Sequence, residues 1–367
     1  MKVFLHLAKY YPHLSSEFGI KLACLFTISA FITLSTGCAT NGMSSEDEAL
    51  ALEKYVWPAP PEKPRIRYLG SLKSSDSVGG PRKLTFKERL LGKKEEERLA
   101  LTKPYGVHSD AKGRIYVADT GISGLVVFDL DEKNMSYWGT SGPGALTKPT
   151  GVTSDSTGNV YVSDVVGSRI VVFDREGKFI NAYGGKEILK SPVGLAYNNN
   201  TQKLYVVDSK NHQIFVFDSE GKVDFKIGER GGDLGQFNFP TNIAMDSEGR
   251  LFVADTMNFR VQILEQDGTP VKAFGKAGDG RGDFSRLKGI SVDSEGHIYT
   301  VDAAFNNVQI FNQQGQLLLT LGRSGTEPGG FYLPAGAHVD SNNRLYVADQ
   351  LNLRIQMFQY LIESESQ

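Results

Sequence analysis

Cysteine is almost missing from this 367-residue chain, occurring only as Cys24 and Cys38. Two cysteines cannot supply a disulfide framework or a thiolate zinc site, and no Cys-x-x-Cys-His is present to attach haem. Neither sign of charge is in excess: 40 Lys and Arg stand against 42 Asp and Glu, a formal net charge of −2. That balance gives no reason to expect nucleic acid or another polyanion as partner. Nucleophile motifs, a P-loop and a dinucleotide fingerprint are absent as well. The glycine-rich stretches GERGGDLG and GKAGDGRGDFS lack the strand-to-helix setting that a phosphate cradle needs. Long apolar runs are scarce, and the one at residues 22–34, LACLFTISAFITL, has the length of a secretory core and is short for a membrane-spanning helix.

Preceded by Lys2, Lys9 and Lys21, that run makes residues 1–37 read as a signal peptide. It ends in LSTGC, which resembles the lipobox of bacterial lipoproteins, where the cysteine becomes the acylated first residue after cleavage. The resemblance implies a lipid, with a palmitate-type chain, on Cys38. Ala39 resembles the outer-membrane sorting pattern, which implies a cell-envelope lipoprotein held at the outer membrane and facing the periplasm or the cell surface. An ordinary cleaved signal or an uncleaved anchor is the alternative. Cleavage removes three lysines and one glutamate, leaving 37 basic against 41 acidic residues and a net charge of −4. Residues 38–63 then read as a Pro-rich tether, with Trp57 available to dock on the folded part.

Beyond the tether one phrase returns six times: IYVADT, VYVSDV, LYVVDS, LFVADT, IYTVDA and LYVADQ, its aspartate at 119, 164, 208, 255, 302 and 349. A Pro-x-Gly-like opening precedes most copies, and a run such as LVVFD or VQIF follows each. Glycines mark the first and third hairpin turns, so each copy reads as four short antiparallel strands. The central strand is apolar on both faces and must be sandwiched by neighbours, which makes units of this period stack radially. The fold class is therefore all-β, a six-bladed β-propeller of four-stranded antiparallel blades. The sixth unit lacks a fourth strand. RIRYLG, residues 65–70, has the alternation of the missing piece and is expected to close the last blade from the N-terminal side. The propeller then covers residues 64–360, with a 73–101 insertion whose TFKERLLG reads as a capped helix, and a tail at 361–367.

Pro-x-Gly, D-x-x-G-x-[IL]-Y-V-A-D and N-x-R-[IV]-x-[VI]-F closely resemble the NHL repeat, best matched by MDSEGRLFVADTMNFRVQIL at residues 245–264. With the lipobox and the clasp, the chain resembles six-bladed NHL-type lipoproteins of bacteria. That resemblance implies the fold and leaves function open, since such propellers include lyases, macromolecule binders and sensor domains.

Repeats supply their own control: a residue present in every blade belongs to the scaffold, and a site on a ring departs from the pattern. By that rule the six phrase aspartates are expected to accept backbone hydrogen bonds in the loop that follows. Asp110, Asp155, Asp246, Asp293 and Asp340, with Asn198, read as turn residues. Arg169, Arg260 and Arg354 pair with neighbouring aspartates. Two departures remain. His108 and His338 fall at one position of the innermost strand in neighbouring blades, and form the candidate channel site. Zinc asks for three or four ligands, so no catalytic residue, metal or cofactor is assigned. Ile122, Met257, Phe259, Phe305, Leu351 and Leu353 are apolar in loops between second and third strands, where polar residues are usual. They are the candidate contacts for an envelope protein, peptide or glycan, with the Met257, Phe259 and Phe305 sector foremost. The sequence thus points to a non-catalytic binding module, and the rival reading is a metal-dependent hydrolase or lyase at His108 and His338.

Overall fold

The six repeats do not stack as free-standing sheets. In the computed structural model, which describes residues 54–80, 85, 90–91 and 97–362, the body spanning Leu52–Gln367 is a closed ring of six antiparallel blades. Blades one to five cover residues 104–138, 149–184, 192–227, 242–274 and 287–321, each with four strands. The signal peptide, Cys38 and the first part of the tether lie outside the described residues, as does nearly all of the expected helix at 85–92.

Local chemistry explains why each copy folds as it does. At the first hairpin, Asp110 Oδ1 accepts the N–H groups of Lys112 and Arg114, and its Oδ2 accepts the Tyr116 hydroxyl at 2.9 Å. The same three-point clamp recurs at Asp155, Asp293 and Asp340. These aspartates build turns, as the sequence indicates. In the inner strand a Cβ on Gly106 would run into the Thr150 carbonyl, one on Gly151 into Val193, and one on Gly336 into Tyr105. The glycine of Pro-x-Gly is therefore required by close approach of neighbouring inner strands. Blade four has Asn242 there instead, lying against Gly194.

The phrase aspartates do more than expected. All six are fully buried, and Asp119 accepts Gly121 and Ile122 N–H from its own loop together with Thr102 and Lys103 N–H from the loop entering the blade. Asp302 repeats this with Ala304 and Phe305, and with Ser285 and Arg286. Each such carboxylate ties two loops together, so the second-to-third-strand loops and the inter-blade loops form one face. Arg260 and Arg354 pair with Asp255 and Asp349 at 2.9 and 2.8 Å, and Arg169 reaches Asp164 at 3.8 Å.

Blade six is completed from the other end of the chain. Strand β1 (Val56–Trp57) pairs with β2 (Ile66–Leu72), which pairs in turn with the strand Arg354–Tyr360. The register sets Tyr68 opposite Phe358, Gly70 opposite Met357 and Leu72 opposite Ile355. The clasp is thus present, seven residues long, and the blade has five strands. The fifth comes from the segment expected to be tether: Trp57 stacks edge-on against Phe358, centroids 5.7 Å apart.

Six hydrophobic clusters hold the ring, and each straddles one seam between neighbouring blades. Strand β2 serves two of them, with Ile66 and Tyr68 in the cluster between blades five and six and Leu72 in that between six and one. Of the insertion, Ser75–Val78 forms a 3-10 turn that sends Val78 into the latter cluster. Its base is closed by Ser75 N–H to Leu99 and Leu101 N–H to Lys73.

Ile66 is 1% exposed, so Ile66→Ala is expected to cost about 2–5 kcal/mol. Urea unfolding followed by near-ultraviolet circular dichroism measures it, and a cost under about 0.5 kcal/mol would show that the clasp does not hold the ring.

Candidate functional site

Inner strands from all six blades line a central channel with a volume of about 230 Å³. His108 and His338 both face it, as their shared position implied. Their rings are 4.4 Å apart, centroid to centroid, and His108 Nε2 lies 2.8 Å from Ser154 Oγ. They pair in register with Tyr116 and Tyr346, whose hydroxyls reach the hairpin aspartates, so the imidazoles sit toward the hairpin end. Burial pushes His338 down to about 4, against the opposing field of Asp340. Burial and then the charge of His338 hold His108 well below its ordinary value. Both imidazoles are therefore neutral near pH 7. No Asp or Glu lines the channel, and no group of three His, Cys, Asp or Glu suited to a metal exists among the described residues. Of the remaining histidines, His212 is buried and accepts Phe239 N–H through Nδ1 at 3.1 Å, while His297 bonds Asp293 at a hairpin, which raises its pKa.

The loop face is the second feature. Among the six predicted contacts, Met257, Leu351 and Leu353 are 50%, 60% and 43% exposed. Ile122, Phe259 and Phe305 are half-buried: Ile122 packs on the cluster between blades six and one, and Phe259 on that between four and five. The exposed sector therefore keeps Met257 and excludes the two phenylalanines. It gains residues that sequence reasoning missed, all in loops of the same face: Val166, Ile188, Leu234, Phe239 and Tyr332. Elsewhere the exposed large apolar side chains are scattered: Ile180, Val271 and Leu318 in outer strands just after third hairpins, Ile362 just past the strand Arg354–Tyr360 at the hairpin end, and Leu90 and Leu91 in the insertion.

Backbone conformation marks two places on the loop face. Every blade has a residue of positive φ just before its third strand, Ser123, Ser168, His212, Phe259, Asn306 and Leu353, and that belongs to the scaffold. Only blades four and six also have one before the proline of the inner strand, Phe239 at φ 46° and Leu333 at φ 52°. A bulky residue there is strained by about 1 kcal/mol or more. Instead of joining a phrase aspartate, Phe239 N–H goes to His212 and Leu333 N–H to Asn306 Oδ1 at 2.7 Å. Met257 N–H then bonds the Asn238 carbonyl, and Leu351 N–H that of Tyr332. Two apolar pairs result at neighbouring but not identical positions, Phe239 near Met257 in blade four and Tyr332 near Leu351 in blade six, the strained residue being Phe239 itself in the first and Leu333, next to Tyr332, in the second. A signal was in the sequence: NFP and YLP stand where blades one and two have TKP.

Three long inter-blade loops wall this half. Gln262, Gln309 and Gln356, buried in the third strands of blades four to six, accept Gly235, Gly282 and Gly329 N–H. Each also donates to a carbonyl of the same loop.

The NHL repeat family matches residues 146–173 and 189–217, in blades two and three, and a 6-bladed beta-propeller family matches residues 240–308. The chain therefore contains NHL repeats within a six-bladed β-propeller. No curated protein matches it in sequence. Among solved structures, a catalytically inactive virginiamycin B lyase from Staphylococcus aureus with quinupristin is similar at 14% identity and a TM-score of 0.54, over 81% of this chain and 100% of that one. A gluconolactonase from Xanthomonas campestris is similar at 16% and 0.55, over 80% and 98%. An auxiliary nutrient binding protein from Bacteroides thetaiotaomicron is similar at 14% and 0.56, over 71% and 69%. Identities this low show the fold alone.

The histidine pair predicts a pH dependence. An unfolded histidine titrates near 6.5, so between that value and about 4 the unfolded chain binds more protons than the folded one. Stability falls as pH drops through this window, by on the order of 3 kcal/mol from His338, and the His338 contribution levels off below it. The double variant His108→Thr, His338→Ala, which carries residues used by blades two and three, should lose that slope in urea titrations at pH 7, 5.5 and 4.5. An unchanged slope would assign it to other groups.

Proposed function

We propose that this chain is a lipid-anchored cell-envelope propeller that binds a protein or peptide, or a glycan, on its loop face without performing chemistry. One observation carries the reading: eight large apolar side chains are exposed in loops of one face, among them Met257, Leu351 and Leu353, and Phe239 there holds the left-handed backbone region before a proline. Strain of this kind persists where the surroundings enforce it and collects at functional positions. Met257, Leu351 and Leu353 are aliphatic and gain from burial against another apolar surface rather than from hydroxyl groups, which favours a polypeptide over a sugar. The basic leader, the apolar core and LSTGC support acylation of Cys38 and anchoring in the bacterial envelope, with the outer membrane as the destination.

Catalysis by a divalent ion at His108 and His338 is the second reading. Two neutral imidazoles in van der Waals range favour it, since only the neutral ring ligates a metal. Against it, the channel offers no carboxylate and no third histidine, so water or substrate would have to complete the coordination.

Met257→Asp with Leu351→Asp should leave stability within about 0.5 kcal/mol and weaken capture of the envelope partner by about tenfold or more. Crosslinking followed by quantitative mass spectrometry reads this out, with Asn342→Asp on the hairpin face as a control that retains capture. Equal capture by all three proteins would remove the loop face from consideration. A stoichiometric divalent ion that copurifies, and is lost in His108→Ala, would favour the enzyme reading.

Anchoring is checked separately: Cys38→Ser should move the protein from the membrane fraction to the soluble fraction of cells. Persistence in the membrane fraction would point to an uncleaved anchor.

A further inference from the structure

Lys288 is the one charged side chain among the residues lining the channel. At the same place in the other inner strands stand Tyr105, Thr150, Val193, Thr241 and Ala335, so the scaffold does not require a lysine. The ammonium donates to the Tyr105 hydroxyl at 3.2 Å and lies 5.6 Å from the centroid of that ring. Blades five and one are not neighbours. Blade six lies between them and contributes only Ala335 there, so the bond reaches across the loop-face mouth of the channel.

A neutral phenol is a weaker partner for an ammonium than a carboxylate, which adds an opposite charge to the hydrogen bond. Around the mouth Lys103, Lys148 and Arg286 are exposed, each two residues ahead of Tyr105, Thr150 or Lys288. None of the three makes an ion pair with a carboxylate among the described residues. Three cations at the rim and a fourth within stand beside phrase aspartates whose carboxylates are already occupied by backbone N–H groups of the loops, so the cationic side chains are left to meet an incoming anion.

We propose that the channel mouth is a carboxylate receptor. The partner docked on the loop face inserts an acidic side chain or a chain-terminal carboxylate, which takes the Lys288 ammonium from the Tyr105 hydroxyl and accepts a hydrogen bond from that hydroxyl as well. A cavity of about 230 Å³ admits a side chain or a chain end and excludes a folded element. The proposal rests on the binding reading and names the chemistry that the apolar pairs do not provide.

The test is made on the full-length protein with its lysines reductively methylated with carbon-13, the Lys288 signal being assigned by its loss in Lys288→Arg. N-acetylphenylalanine presents a terminal carboxylate, N-acetylglutamate α-amide a side-chain carboxylate, and N-acetylphenylalaninamide neither. At least one carboxylate probe should shift the Lys288 signal saturably at millimolar concentration, and the probe that binds tighter identifies the source. The neutral amide should bind at least about tenfold more weakly. Lys288→Met, followed by calorimetry, should lose binding by a similar factor, and Lys288→Arg should retain it. Equal binding of the neutral amide, unchanged binding in Lys288→Met, or inorganic phosphate binding more tightly than either carboxylate would overturn the assignment. The comparison of carboxylate with amide uses unsubstituted protein, so it holds even if Lys288→Met misfolds. Partner capture by Met257→Asp with Leu351→Asp and probe binding by the unsubstituted protein are separate measurements, so failure of the loop-face reading and failure of the receptor give different results.

Discussion

Closure of the ring is the constraint from which the other features follow. A radial sheet apolar on both faces is stable only when each blade has two neighbours, and an open ring would leave two blades with one each. Blade six cannot supply its own outer strand, so the ladder between β2 and Arg354–Tyr360 completes two seams together, one through Ile66 and Tyr68 and the other through Leu72. The same ladder joins the N-terminal segment Ile66–Leu72 to the strand Arg354–Tyr360.

Within a closed ring the repeat leaves little room for function. Hairpin aspartates, phrase aspartates and inner-strand glycines are each consumed by a local need: a turn, two loops or a close approach of backbones. What remains is where the pattern changes. Blades four to six have longer entry loops, held by buried glutamines, and blades four and six place an apolar residue in the left-handed region before the proline. Both changes fall on one side of one face, and together they turn a six-fold scaffold into a surface with a direction.

The channel adds a second asymmetry. Its hairpin end has two imidazoles that burial keeps neutral, and its loop end has an ammonium whose hydrogen-bond partner is a phenol. Lacking carboxylates throughout, it is poorly suited to hold calcium or magnesium, which prefer oxygen anions, and well suited to accept an anion from the loop side. The proposed binding of an acidic polypeptide segment rests on these two features together, the apolar side chains of the loop face and the ammonium at the channel mouth.

The sequence by itself determined the number of blades, their strands, the turn chemistry and the missing outer strand, because these depend on local periodicity and on counting along a repeat that occurs six times. It also determined that His108 and His338 are neighbours, since equivalent positions in adjacent blades must meet. Tertiary structure alone decided which loop residues face solvent. Ile122, Phe259 and Phe305 read the same as Met257 and Leu351 in sequence, yet all three are half-buried, Ile122 and Phe259 by packing against an adjacent seam. It decided that Trp57 belongs to the sheet, and that Lys288 meets Tyr105 across the ring. Such contacts join residues far apart in the chain, and their existence depends on the diameter and closure of the whole toroid, which no single repeat encodes.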